Sequence, residues 1–134
     1  FPTIRKVEDA GVENLLFDVD KLDGLGPAEA RAWFDDVRAM VRGDGCLSGR
    51  LAMNRTSRSG FQILAQLSAP VHGTAEARAF WRRTDVVEYV RAVGERAIGM
   101  ARARGATGGI IDTGCVTRSR CGRPLPAVGE AGAR

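Results

Sequence analysis

Three aspartates and one polar loop carry most of the chemistry this chain could do. Asp18 and Asp20 alternate within "LLFDVDKLDG", and Asp112 stands in "GGIIDTGCV". Alternate residues of a strand share a face, and carboxylates gathered on one face repel each other at neutral pH. A hard divalent cation removes that repulsion, because Mg²⁺ takes carboxylate and phosphate oxygens together. Two such ions can stabilise the attacking and leaving oxygens of a phosphoryl transfer. The expected cofactor is Mg²⁺ or Mn²⁺ in a two-metal site on Asp18, Asp20 and Asp112. The Asp-x-Asp dipeptide alone is more often a pair of solvated carboxylates at a strand end.

The loop "NRTSRSG" adds to that signal. Ser57, Arg58 and Ser59 precede Gly60 and a strand that opens with Phe61 and Gln62. Backbone N–H groups and hydroxyls in such a turn can cradle phosphate, although an ordinary polar hairpin has the same composition. Lysine and arginine number 20 against 16 acidic residues, a net charge of +4. Most of the excess is arginine, whose forked guanidinium suits phosphate. The balance points modestly to nucleotides or nucleic acid.

Other classes are set aside by composition. Three cysteines, Cys46, Cys115 and Cys121, make no disulfide framework and fit no strong zinc spacing. They read as free thiols in a reducing compartment, so a cytoplasmic location is expected. No apolar run approaches the roughly 20 residues of a membrane span, so no membrane partner is expected. The chain starts at Phe1 rather than Met, which reads as a fragment or processed product.

The positioning elements follow from pattern. Residues 14–20 read as a strand with Leu15, Phe17 and Val19 on one face and Leu16, Asp18 and Asp20 on the other. "PAEARAWFDDVRAMVRG" reads as a helix with Pro27 at its start and Gly43 at its stop. "CLSGRLAMN" and "GFQILAQLSA" read as two strands. Thr74 is expected to cap a short helix holding Phe80 and Trp81, and Thr84 a longer one. Gly94 and Gly99 weaken the longer helix. "GGIIDTGCV" reads as the last strand. The order is β-α-β-β-α-β, an α+β, ferredoxin-like core: a four-stranded antiparallel sheet with its helices on one face. Right-handed crossovers then flank the first strand with the third and the fourth. Asp112 comes to one side of Asp18 and Asp20, and Gln62 to the other. The helices cover the face of Phe17, Ile63 and Ile111, leaving the acidic face open. Residues 1–126 are expected to form a single domain, with 127–134 a flexible tail.

At this point "LLFDVDKLDG", "TSRSGFQILAQL" and "GIIDTGCVTRSRCGRP" resemble the three motifs of the archaeo-eukaryotic primase superfamily, closest to the small catalytic primase subunit. The resemblance spans about residues 14–126. It implies a DNA primase/polymerase-like nucleotidyltransferase that synthesises a primer or extends a chain on a single-stranded DNA template. It implies that Asp18, Asp20 and Asp112 ligate the metals, and that Ser57, Arg58, Ser59 and Gln62 hold the nucleoside triphosphate. Arg120 and Arg123, which follow Asp112 and Thr117 in order, would contact phosphates. A larger primase subunit or a helicase would be the partner. The chain departs from the family at residue 62, where glutamine replaces histidine and brings a hydrogen bond without a charge.

Two rivals remain from sequence alone. One is a non-catalytic ferredoxin-like module binding nucleic acid on its open sheet face. The other is a small structural or assembly protein whose acidic strand is incidental. Trp33, Phe34, Phe80 and Trp81 read as core rather than base-stacking platforms, and His72 as a surface turn residue.

Overall fold

The computed structural model of the protein describes residues 12–114. They form β1 (Val12–Asp23), α1 (Pro27–Arg42), β2 (Leu47–Arg55), β3 (Phe61–Val71), α2 (Thr74–Arg82), α3 (Thr84–Ala103) and β4 (Thr107–Asp112). The strands make one antiparallel sheet in the order β2-β3-β1-β4. This α+β architecture, with three helices, is consistent with the ferredoxin-like arrangement expected. The strand bearing Asp18 lies between β3 and β4, as the handedness of the crossovers requires.

Helix α1 begins after Gly26 with Pro27 in its first turn, where a missing N–H costs nothing. Ala30, Trp33, Phe34, Val37 and Val41 form its buried stripe. Helix α3 buries Val86, Val90, Val93, Ala97 and Ala101. Both stripes meet the Leu15, Phe17, Val19 and Ile63 side of the sheet in one core. The indole Nε1 of Trp33 donates to the Ala97 carbonyl at 2.7 Å and ties the two helices together. Trp81 is also buried and Phe80 partly so, which fits their expected core role. His72 is exposed.

Three local details differ from the expectation. The residues at the N-cap positions of α2 and α3 are Gly73 and Arg83, not Thr74 and Thr84, and neither makes a side-chain cap bond. Strand β1 runs on past Asp20 to Asp23, and Lys21 within it takes a left-handed conformation at φ 56. That kink returns Leu22 to the core, where it is fully buried, instead of leaving it on the acidic side. The face opposite the helices is not bare either, since Ala52 and Leu64 are buried there with Leu16 in a second small apolar cluster.

Gly94 marks the closest approach of α3 to β4. A Cβ there would lie 2.6 Å from Cγ1 of Ile111 and 2.7 Å from its Cδ1. The glycine that weakens the helix in isolation is what lets β4 pack against it. Among the described residues, no helix is long and apolar enough to cross a membrane. Cys115, Cys121, Thr117, Arg120, Arg123 and the 127–134 segment lie outside the described residues.

Candidate metal centre and phosphate loop

The strand register builds a polar row straight across the sheet. Asn54 on β2 pairs with Gln62 on β3, Gln62 with Asp18 on β1, and Asp18 with Asp112 on β4. Directly paired residues in a sheet present their side chains on the same face, so four strands contribute one side chain each. Asp20 sits two residues beyond Asp18, paired with Ile110. Ile110 is 53% exposed, the one large apolar side chain so exposed among the described residues.

Carboxylate oxygens of Asp18, Asp20 and Asp112 all lie within 4.8 Å of one another. Opposite oxygens around a single Mg²⁺ are about 4.2 Å apart, twice its usual ligand distance. The three side chains are therefore within a small rotation of closing on one ion. Among the described residues this group could hold a metal ion. The donor set fits, being all oxygen and all anionic, which suits Mg²⁺ or Mn²⁺ rather than a softer metal.

Electrostatics agree with the geometry. Burial, then the charges of Asp20 and Asp112, hold the Asp18 carboxyl above the usual carboxylate range. The Asp112 carboxylate accepts the Gly114 amide at 2.8 Å, which fixes its orientation at the end of β4. Like charges directly opposite on neighbouring strands are destabilising. The fold carries that cost at Asp18 and Asp112, and a divalent cation would remove it.

The loop between β2 and β3 lies alongside the acidic strand. The Leu22 amide donates to the Ser59 carbonyl at 2.9 Å, so the loop docks on β1 just beyond Asp20. Neighbouring strands are about 4.8 Å apart, so phosphate oxygens of one ligand could span the triad and the loop. Ser57 and Arg58 are exposed at the loop tip, and Gln62 faces Asp18 directly. The structure thus brings Asp18, Asp20 and Asp112 together with Gln62 paired beside them, and docks the loop of Ser57, Arg58 and Ser59 on β1 through the Ser59 carbonyl. Arg120 and Arg123 are outside the described residues.

Two residues of this region escaped the sequence reading. Asn54 extends the polar row and was legible in principle, because a hairpin turning at Arg58 must oppose residue 54 to residue 62. Arg55 gave no pattern signal, because its role depends on three-dimensional contacts with two loops. Its Nη2 donates to the carbonyls of Leu25 and Arg58, each at 2.8 Å, and its Nε to that of Ser57 at 3.4 Å.

No protein-family model matches the chain, and neither a curated protein nor a solved structure matches it significantly.

Proposed function

We propose that this chain is a metal-dependent nucleotidyltransferase of the DNA primase/polymerase type. The observation that carries the reading is the convergence of three carboxylates within 4.8 Å, beside a donor-rich loop, on β1 and the edge strand β4. Bound divalent metal would supply charge neutralisation for the attacking and leaving oxygens of phosphoryl transfer. Asp18, Asp20 and Asp112 would hold it through their carboxylate oxygens. Ser57, Arg58, Ser59 and Gln62 bind the triphosphate and set its angle against the carboxylates. In the overall reaction, the 3′-oxygen of the growing chain bonds to the α-phosphorus, and the α–β bridge breaks. The hydroxyl proton is lost and pyrophosphate leaves. The substrates are nucleoside triphosphates and a single-stranded DNA template, with Arg120 and Arg123 on phosphates, and a larger primase subunit or a helicase as partner.

A simple nucleic-acid-binding module fits this face less well. Three carboxylates would repel a phosphate backbone laid across them unless a cation intervened. The two readings separate on ion dependence, because backbone binding follows monovalent salt. Incorporation of labelled nucleotide on a single-stranded DNA template, compared in Mg²⁺, Mn²⁺ and EDTA, tests the proposal. Product only with divalent metal supports it. DNA binding that is indifferent to metal, with no product in either ion, refutes it.

The Gln62→His variant should bind nucleoside triphosphate more tightly. Residue 62 is paired with Asp18, so an imidazolium there would have a carboxylate neighbour and a polyanionic ligand. A hydrogen bond to a charged group contributes about 1.5–3 kcal/mol against about 1 for a neutral pair. The expected gain is about tenfold in affinity, larger at pH 6 than at pH 8, since histidine titrates across that range. Calorimetry with Mg²⁺ at both pH values reads it. Equal affinities for the two proteins would take residue 62 out of the triphosphate site.

A further inference from the structure

We propose that Arg55 is a positioning residue that makes the 56–60 loop receptive to an anion. This rests on the reading that the loop binds the triphosphate of a nucleotide. An anion site needs donors left free and acceptors already engaged, and residues 57–60 of the loop come close to that division. Each of its carbonyls from Ser57 to Gly60 already accepts a hydrogen bond. Ser57 O receives Arg55 Nε and the Gly60 amide, both at 3.4 Å. Arg58 O receives Arg55 Nη2 at 2.8 Å. Ser59 O receives the Leu22 amide at 2.9 Å, and Gly60 O receives the amides of Thr56 and Ser57. By contrast, among the described residues the amides of Arg58 and Ser59 donate to nothing, and so do the hydroxyls of Thr56, Ser57 and Ser59. The loop therefore keeps two adjacent amides and three hydroxyls without an internal acceptor, beside the exposed Arg58 side chain.

Arg55 is what fixes that polarity. Its guanidinium takes two successive loop carbonyls, and it is anchored from the other side by the Leu25 carbonyl at 2.8 Å. It also lies 5.0 Å over the ring of Phe61, which is wholly buried and meets Trp33 edge-on at 5.1 Å. The loop is thus braced against the core through one planar side chain. Lysine keeps the charge but is a compact point donor on a flexible stem and cannot reproduce the fork. Gly60 completes the arrangement, because a Cβ there would meet Thr56 Oγ1 at 2.6 Å and Ser57 Oγ at 2.7 Å.

The probe is inorganic tripolyphosphate in EDTA, which reads the loop without the metal site. In the unaltered protein it should shift the amide resonances of Arg58 and Ser59 in a nitrogen–proton correlation spectrum. Both Arg55→Lys and Arg55→Gln should weaken this binding about tenfold, the equivalent of one or two oriented donors lost. Mg²⁺ binding at the aspartates should stay within twofold. Gly60→Ala should give the same loss while leaving Arg55 and its partners in place, which covers the case in which the Arg55 variants fail to fold. If Arg55→Lys binds tripolyphosphate as well as the unaltered protein while Arg55→Gln does not, Arg55 is a direct charge contact and the positioning role is wrong. Absence of shifts at Arg58 and Ser59 in the unaltered protein also overturns it. Shifts that follow the expected pattern in a protein that makes no nucleotide product would uphold the loop and refute the polymerase reading instead.

Discussion

With Asp18 and Asp20 both changed to asparagine, the proposed metal-dependent nucleotide incorporation should fall to background, and the metal-free protein should become more stable. Loss of several kcal/mol of charge stabilisation corresponds to at least about a thousandfold in rate. The gain in stability comes from the same carboxylates. At separations of no more than 4.8 Å, each repulsion is on the order of 1 kcal/mol in a water-like medium. Its pH dependence has a definite sign. The folded Asp18 carboxyl titrates above its ordinary value of 3.8, so the folded protein binds that proton more tightly than the unfolded chain does. The penalty is absent below the ordinary value, grows as pH rises through the raised one, and is complete at neutral pH. The asparagine variant should therefore outlast the unaltered protein to heat in EDTA at pH 7 and lose that advantage near pH 3. Millimolar Mg²⁺ should close the gap at pH 7 by stabilising only the unaltered protein. A variant less stable than the parent at pH 7 in EDTA would make the aspartates structural.

The second large effect is expected far from the acids. Gly94→Val should destabilise the protein by about 2–3 kcal/mol and weaken Mg²⁺ binding, because the new side chain must displace Ile111 and with it the strand that carries Asp112. Gly99→Ala on the same helix supplies the contrast. Gly99 is exposed, and a Cβ there meets nothing within 4 Å. That change should stabilise the helix by up to about 1 kcal/mol, the ordinary propensity gain, with metal affinity unchanged. Denaturant midpoints and metal calorimetry on the two variants measure both effects. Similar changes from both substitutions would mean that Gly94 is not a packing contact.

The contrast between these two glycines shows what a sequence does and does not disclose. Both look alike as helix-weakening residues, and only the approach of β4 tells them apart. The acidic row was legible because it follows from element order and crossover handedness, two rules that need no side-chain detail. Its lateral reach to Asn54 follows from hairpin symmetry about Arg58. What stayed hidden depends on close contact. The Lys21 kink reverses an alternation that would otherwise place Leu22 beside Asp20. The burial of Leu64 opposite the helices runs against its two glutamine neighbours, Gln62 and Gln66. The work of Arg55 is done on carbonyl oxygens, which every residue carries and no sequence pattern marks.

The pairing of Asp18 with Asp112 joins the first described strand to the last. Contacts so distant along the chain form late, since closing a long loop must be met in entropy before the ladder returns anything. Here the final seam also sets one carboxylate against another. Strand β4 is short, has a neighbour on one side only, and holds two glycines at positive φ. It is the part of the sheet expected to zip last and fray first. A cation held by the three aspartates would fasten that seam, and loading of the ion and completion of the sheet would then be a single equilibrium.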